Sequence, residues 1–535
     1  MTAGSVRAEG GVAAGKERDL RLDFFRGLAM FIILLAHTYN TTWTLWIPAR
    51  FGFSDATEIF VFCSGFASAL AFGAVFVKRG WAMGAARVAY RVWQVYWAHL
   101  MVIFACAVLM VGLDATGLGH ADELYREWWP VAGIFTDPAV AVPGFFTLTN
   151  VPGLFDILPM YLVILALVPL AMAAHRFGGL PGFLGLVAAF WLATQFAFWA
   201  YMTDPAETHA LGAWAAEIGA AFSFLILPSN PWGEGTWFFN PFGWQLVFFT
   251  GFAYGMRWLP APKVTPARLR AVGAFLLLTV PFAWFRIYNG DYLPSAWTVS
   301  AHIREARDWI DPLIGKTGLG ALRYLHFLGV AYLAWAAVGP GGVRLREGGR
   351  AIGGLRSRGA VVALAALALF TAPYAYVDTI RALSPALDAW LVRAYASIGA
   401  LPDEWRIGAL QLLHLAALLP LVWTAIGAAG RAWVARDGVL LVVPVIRKVG
   451  TQSLAVFLTS LVVARFNSWW LDVIGRDVWT QLLVNGTGFA AIVATAYAIG
   501  WFKRQPWREP AKPRPAENAP AAVAPAPAPR YLGAS

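Results

Sequence analysis

Apolar runs of about twenty residues recur along nearly the whole chain, and this repetition limits the fold before any motif is read. Of 535 residues, 59% are hydrophobic and only 13% charged, more apolar surface than a water-soluble domain could hide. In hydrocarbon the backbone must satisfy its own hydrogen bonds, so such runs become helices. Spans are expected near 22–46, 54–77, 88–112, 156–174, 180–202, 238–257, 268–287, 319–338, 359–377, 407–427, 449–468 and 478–502. The fold class is therefore all-α: a polytopic integral membrane helix bundle of about 12 transmembrane helices.

Charge orients the bundle. With the N-terminus in the cytoplasm, the inner segments carry 29 of the 41 Lys and Arg residues and the outer segments 9. This is the positive-inside bias. It puts both termini in the cytoplasm and explains the +11 net charge without a nucleic-acid partner. Residues 1–21 form a polar cytoplasmic segment with no signal-peptide core, so the first span is expected to stay as an anchor. Residues 503–535 form a Pro/Ala-rich tail expected to be disordered.

Two long segments assigned outside are acidic and aromatic. Residues 114–137 carry Asp114, Asp122, Glu123, Glu127, Asp137, Trp128 and Trp129; residues 203–240 carry Asp204, Glu207, Glu217, Glu234, Trp214, Trp232 and Trp237. An interfacial aromatic belt accounts for such tryptophans. A sugar-binding surface does so too, because an indole face packs on the C–H face of a pyranose. Gly320–His326 is echoed by Gly408–His414, which suggests a duplicated helix pair or a coincidence of common residues.

Arg26 and His37 stand out within the first span, where an ionisable residue is a functional-site hypothesis by default; a structural histidine bonded to a backbone carbonyl or a lipid head group is the alternative for His37. Eleven residues make three turns plus about 20°, so the two side chains share a face, about 16 Å apart along the axis. Asp23 lies three residues before Arg26 and can pair with it, pre-orienting a guanidinium suited to phosphate. Glu58 or Asp55, at the start of the second span, can orient the His37 imidazole, or can simply face water. Ser64-Gly65 suits close helix packing better than nucleophilic chemistry. Asp156 suits a helix N-cap, and Gln245 and Gln452-Ser453 suit interhelical hydrogen bonds. Arg323 and His326 share a face at i, i+3 and can orient an acceptor hydroxyl or oxyanion; a packed Arg–carboxylate pair is the equal alternative. Cys63 and Cys106 lie in apolar runs and read as core residues. There is no zinc-ligand spacing, phosphate loop or dinucleotide fingerprint, so no metal and no tightly bound cofactor is expected.

Arg26-(ten residues)-His37 and Phe60-Val61-Phe62-Cys63-Ser64-Gly65-Phe66 resemble the first two helices of the transmembrane O-acyltransferase superfamily. Arg21–Ala29, Phe238–Leu246, Leu322–Leu328 and Gln452–Phe457 resemble the OpgC family, associated with succinylation of osmoregulated periplasmic glucans. The resemblance covers roughly 18–338 and 445–500. It implies an acyltransferase core of ten helices, in 22–338 and 431–502, with a helix pair inserted at 339–430.

The resemblance also implies a multi-pass protein of the bacterial inner membrane that takes acyl-CoA, succinyl-CoA favoured, as co-substrate. Its acceptor would be an extracytoplasmic carbohydrate, with membrane lipid around the bundle. Arg26, with Asp23, Arg87 and Arg91, would hold the nucleotide phosphates, and the pantetheine arm would run along the first helix. His37 would act as general base on a sugar hydroxyl or accept the acyl group itself, with Glu58, Arg323 and His326 in the catalytic set. Arg323, Gln245 or a backbone N–H would supply the oxyanion donor. Asp156, Trp237, Asn240, Trp244 and Gln245 are the candidates for holding the acceptor. The rival class is a transporter or flippase of a carbohydrate or lipid-linked substrate. A non-catalytic scaffold would leave the buried Arg26, His37 and Arg323 without purpose.

Overall fold

A computed structural model describes residues 19–508 apart from 120–122, 129, 203–209, 234, 290–297, 376–383 and 398–403. The N-terminal segment to residue 18, the tail beyond 508, and Asp122, Trp129, Asp204, Glu207 and Glu234 of the outer loops lie outside the described residues. Among those described, secondary structure is helical, with one isolated bridge between Pro228 and Thr236. The main helices are α1 (Leu20–His37), α2 (Ala56–Ser68), α3 (Trp81–Asp114), α4 (Ile157–Met202), α5 (Pro241–Gly255), α6 (Pro266–Ala283), α7 (Val299–Ile314), α8 (Ala321–Val338), α9 (Arg358–Ala375), α10 (Glu404–Ala425), α11 (Val439–Thr451), α12 (Ser453–Ile474) and α13 (Val478–Arg504).

Among the described residues, seven helices are long and apolar enough to cross a membrane. They become eight if the pair Leu410–Ala425 and Gly427–Thr451, bent by 101°, is one span. The difference from about 12 expected spans has physical causes. α1 carries Arg21, Asp23 and Arg26, and α5 is only 15 residues long. α4 would be about 69 Å long if straight, but it reverses at Gly179, where φ 58° and ψ −156° break the helix. Its second limb returns to the 316–319 loop: Trp191 Nε1 donates to Leu319 O (2.9 Å) and Gln195 Nε2 to Gly318 O (2.7 Å). The expected spans 156–174 and 180–202 are thus two limbs of one hairpin.

Local chemistry starts these helices. Asp19 caps α1, Asp477 caps α13, and Asn240 caps α5 ahead of Pro241 at the first helical position. Asp55 and Glu58 form a reciprocal capping box on α2.

Glycine then lets the central helices approach backbone to backbone. Gly65 of α2 lies on the Phe248 carbonyl of α5, and Gly251 of α5 on the Phe62 carbonyl of α2. Short α5 is therefore packed inside the protein, with Trp244, Phe248, Phe249 and Phe252 all buried. At the other end of the bundle, Gly27 of α1 meets the Ile446 carbonyl, and Gly450 of α11 the Asp23 carbonyl. No side chain fits there. Gly450→Val is expected to force α1 and α11 apart and cost about 1–3 kcal/mol of overpacking strain, read as a lowered Tm of the detergent-solubilised protein.

α1 and α12 run parallel. Arg26 bonds Ser453 Oγ, Arg465 Nη2 donates to His37 O (2.6 Å), and Tyr39 N donates to Ser468 Oγ (2.9 Å). The 339–430 segment supplies α9 and α10, which pack on each other; His414 Nδ1 donates to Ala368 O (2.9 Å). In the echoed heptads, both His326 and His414 are buried and hydrogen-bonded, but to different surroundings.

Candidate functional site

A cavity of about 650 Å³ opens at the end of the bundle where α1 stops. His37, Asp55, Asp156, Asn150, Lys316 and Trp232 supply its polar and aromatic chemistry, and Ile32, Ile33 and Phe457 line its deep end.

His37 is half-buried, and its ring is oriented by its own helix. Nδ1 lies 2.8 Å from Ile33 O. A carbonyl can only accept, so Nδ1 carries the proton and Nε2 holds the lone pair. This corrects the expectation that a carboxylate orients the ring: neither Glu58 nor Asp55 does so.

Those carboxylates are engaged elsewhere. Arg323 Nε lies 2.5 Å from Glu58 Oε1, and Arg323 Nη2 lies 3.1 Å from Asp55 Oδ2. Lys316 Nζ lies 2.6 Å from the same Asp55 oxygen. Glu58 Oε2 accepts the Asp55 N–H (2.7 Å), closing the capping box. Two cations and two carboxylates leave this network electrically balanced. Arg323 therefore realises the packed ion-pair alternative and does not line the cavity; the cation that does is Lys316.

The remaining expected site residues hold the frame. His326 accepts from Ser54 N (3.3 Å) at Nδ1, with Ser54 Oγ 2.8 Å from the same nitrogen, and its ring covers Gly52. Trp244 is fully buried, and its Nε1 donates to Lys316 O (2.8 Å), fixing the backbone that carries the cavity lysine. Gln245 Nε2 donates to Val187 O (2.8 Å), and Asn240 Nδ2 to Leu225 O (2.6 Å). Trp237 is buried. Of the five acceptor-binding candidates, Asp156 lines the cavity and the other four do not.

Towards the opposite end the cavity stops short of Arg26. Phe457 stacks on Phe60, with centroids 5.8 Å apart. On α12, Phe457 lies four residues beyond Ser453, the partner of Arg26, which is about 6 Å of helix rise. Arg26 and His37 thus share a groove, but aromatic rings separate their levels. Asp23 is buried. Arg87 lies over Tyr90 and Arg91 donates to Gln94, all on α3.

Lys316, Asn150 and Arg465 escaped sequence reasoning. Lys316 and Asn150 sit in non-periodic loops. Arg465 lies within α12, where it bonds the His37 carbonyl and lies 3.9 Å from the Tyr39 ring centroid. A usable signal existed for Lys316: it is the one lysine among the nine cations assigned outside.

A helical bundle with several membrane-length apolar helices makes this a multi-pass membrane protein, with a histidine on the wall of a cavity at one end. The profile of the OpgC protein family matches residues 18–352 and 348–504, and the chain belongs to that family. Membership points to a membrane acyltransferase-like role. No curated protein and no solved structure matches the chain.

Proposed function

We propose that the chain moves an acyl group, succinyl favoured, from cytoplasmic acyl-CoA to a hydroxyl of an extracytoplasmic glucan at the bacterial inner membrane. The observation that carries this is the His37 tautomer: Nδ1–H is tied to Ile33 O, which leaves the Nε2 lone pair free on a residue of the cavity wall. Nε2 takes the hydroxyl proton as the oxygen attacks the thioester carbonyl. The C–S bond then breaks, and the imidazolium returns its proton to the departing thiolate. Positive-inside bias puts the Arg26 end on the cytoplasmic side, where its guanidinium suits the nucleotide phosphates. The donor's arm would reach His37 only after displacing the Phe60–Phe457 stack.

Purified protein given succinyl-CoA and a neutral glucan should release free CoA and yield glucan heavier by one succinyl group by mass spectrometry. A cavity closed at its inner end also suits a carrier facing outward; an intact thioester beside glucan transport in proteoliposomes would favour that reading.

Lys316 has three N–H donors and gives one to Asp55, so others remain for the oxyanion of the tetrahedral intermediate. Its charge is already matched, which makes it a poor receptor for the free carboxylate of a succinyl group. Lys316→Met should therefore lower turnover of succinyl-CoA and acetyl-CoA by the same factor, about 10²-fold. A loss confined to succinyl-CoA would mark it as the carboxylate receptor instead.

A further inference from the structure

The mouth of the cavity carries an aromatic platform beside a free amide. Trp232 lines the cavity and remains 49% exposed, so a ring face is open to a ligand. Its indole N–H is already used, donating to Asp137 Oδ2 (3.1 Å), and its ring edge rests on Gly133. The loop beneath is tied down: Ser229 N donates to Gly235 O (2.8 Å), Trp237 N to Leu227 O (2.8 Å) and Val151 N to Ser229 O (2.7 Å). Trp232 N donates to Asn230 Oδ1 (3.1 Å). The indole's polar edge is thus satisfied, while about half of the residue stays exposed at the cavity.

Asn150 lines the same cavity and is 95% buried, yet its side-chain amide makes no hydrogen bond among the described residues. Its amide atoms are not among the fully buried, unpartnered polar atoms, so they keep some contact with solvent that a ligand hydroxyl can replace. A primary amide offers two donors and an acceptor, which suits a pair of vicinal hydroxyls. The Lys316, Arg323, Asp55 and Glu58 charges balance one another, and Asp156 adds a further carboxyl group to the cavity wall, so the site does not favour an anion.

We infer that Trp232 and Asn150 form a subsite for one neutral pyranose unit of the acceptor. The sugar's C–H face would lie on the indole and its hydroxyls on the amide, upstream of His37. This rests on the acyl-transfer reading for its purpose, but binding can be measured without a donor. The probe is a neutral β-linked gluco-oligosaccharide, titrated calorimetrically into full-length protein in nanodiscs with no acyl-CoA present.

Trp232→Ala is expected to weaken binding about tenfold, and Trp232→Phe less, because a smaller ring keeps part of the stacking surface. Asn150→Ala should weaken it as well, whereas Trp479→Ala, at an exposed position on α13, should leave it unchanged. In turnover assays Trp232→Ala should raise KM for the glucan and not for acyl-CoA, a split that general loosening of the fold would not give. Trp232→Phe and Asn150→Ala proteins that melt like the parent and bind the saccharide as tightly would overturn the subsite. So would a parent protein that does not bind the probe. Glucan succinylation unaffected by Trp232→Ala would remove the subsite and leave the transferase standing. Trp232-dependent binding with no acyl-CoA consumption would do the reverse.

Discussion

Replacing His37 with alanine is expected to reduce acyl transfer by about 10²–10⁴-fold, the range for loss of a positioned general base. Folding should be little affected. The ring is half-buried, and its described side-chain bond reaches only one turn back along its own helix, to Ile33 O. Arg465 braces this part of α1 through the His37 backbone carbonyl, which alanine retains. His37→Ala should therefore reach the membrane in normal amounts, keep its Tm and still bind acyl-CoA. His326→Ala is the informative contrast. That ring is buried over Gly52 and accepts from Ser54, so its removal should lower Tm and leave the chemical step nearly intact in whatever protein folds. The measurement is single-turnover release of CoA from a succinyl donor, normalised to folded protein. Parent-like turnover by His37→Ala would end the general-base mechanism.

Much of this was legible in sequence because membrane physics restricts the possibilities. Helical class followed from apolar run length, and the α1 register of Arg26 and His37 from helix geometry. Span counting was harder. A short helix such as α5 is enclosed by protein, so it needs neither the length nor the uniform apolarity of a lipid-facing span. The site divided along similar lines. His37 and Asp156 line the cavity because the end of α1 and the start of α4 face it, whereas Arg26, on the same face of α1, does not reach it. Trp244 and Asn240 carried the same sequence signal, yet their polar atoms are used by neighbouring backbone, as is Nε2 of Gln245 but not its Oε1. A polar residue in a span announces that it has a partner; sequence does not say whether that partner is a ligand or a carbonyl. Lys316 and Asn150 come from loops placed by tertiary contacts, which local pattern does not encode.

The largest stability effect is expected at Arg323. Its guanidinium side chain is 9% exposed and Glu58 0% exposed, and Asp55 leans on the same group. Arg323→Met strands the Glu58 carboxylate among apolar helices and leaves Asp55 with Lys316 alone. Breaking one side of a buried pair costs about 3–5 kcal/mol, most of it from the uncompensated charge left behind. The expected outcome is a sharp fall in folded yield and in Tm. The distinguishing step is the double variant Arg323→Met with Glu58→Gln. Removing the stranded charge should recover much of the loss, because Gln keeps an oxygen to accept the Asp55 N–H, while Lys316 still neutralises Asp55. A non-additive rescue of this kind would show that Arg323 and Glu58 are coupled as a pair. If the single variant melts like the parent, or the double variant is no better than the single, the buried network does not hold the start of α2 against α8. The positions of Asp55 and Lys316 in the cavity would then need another cause.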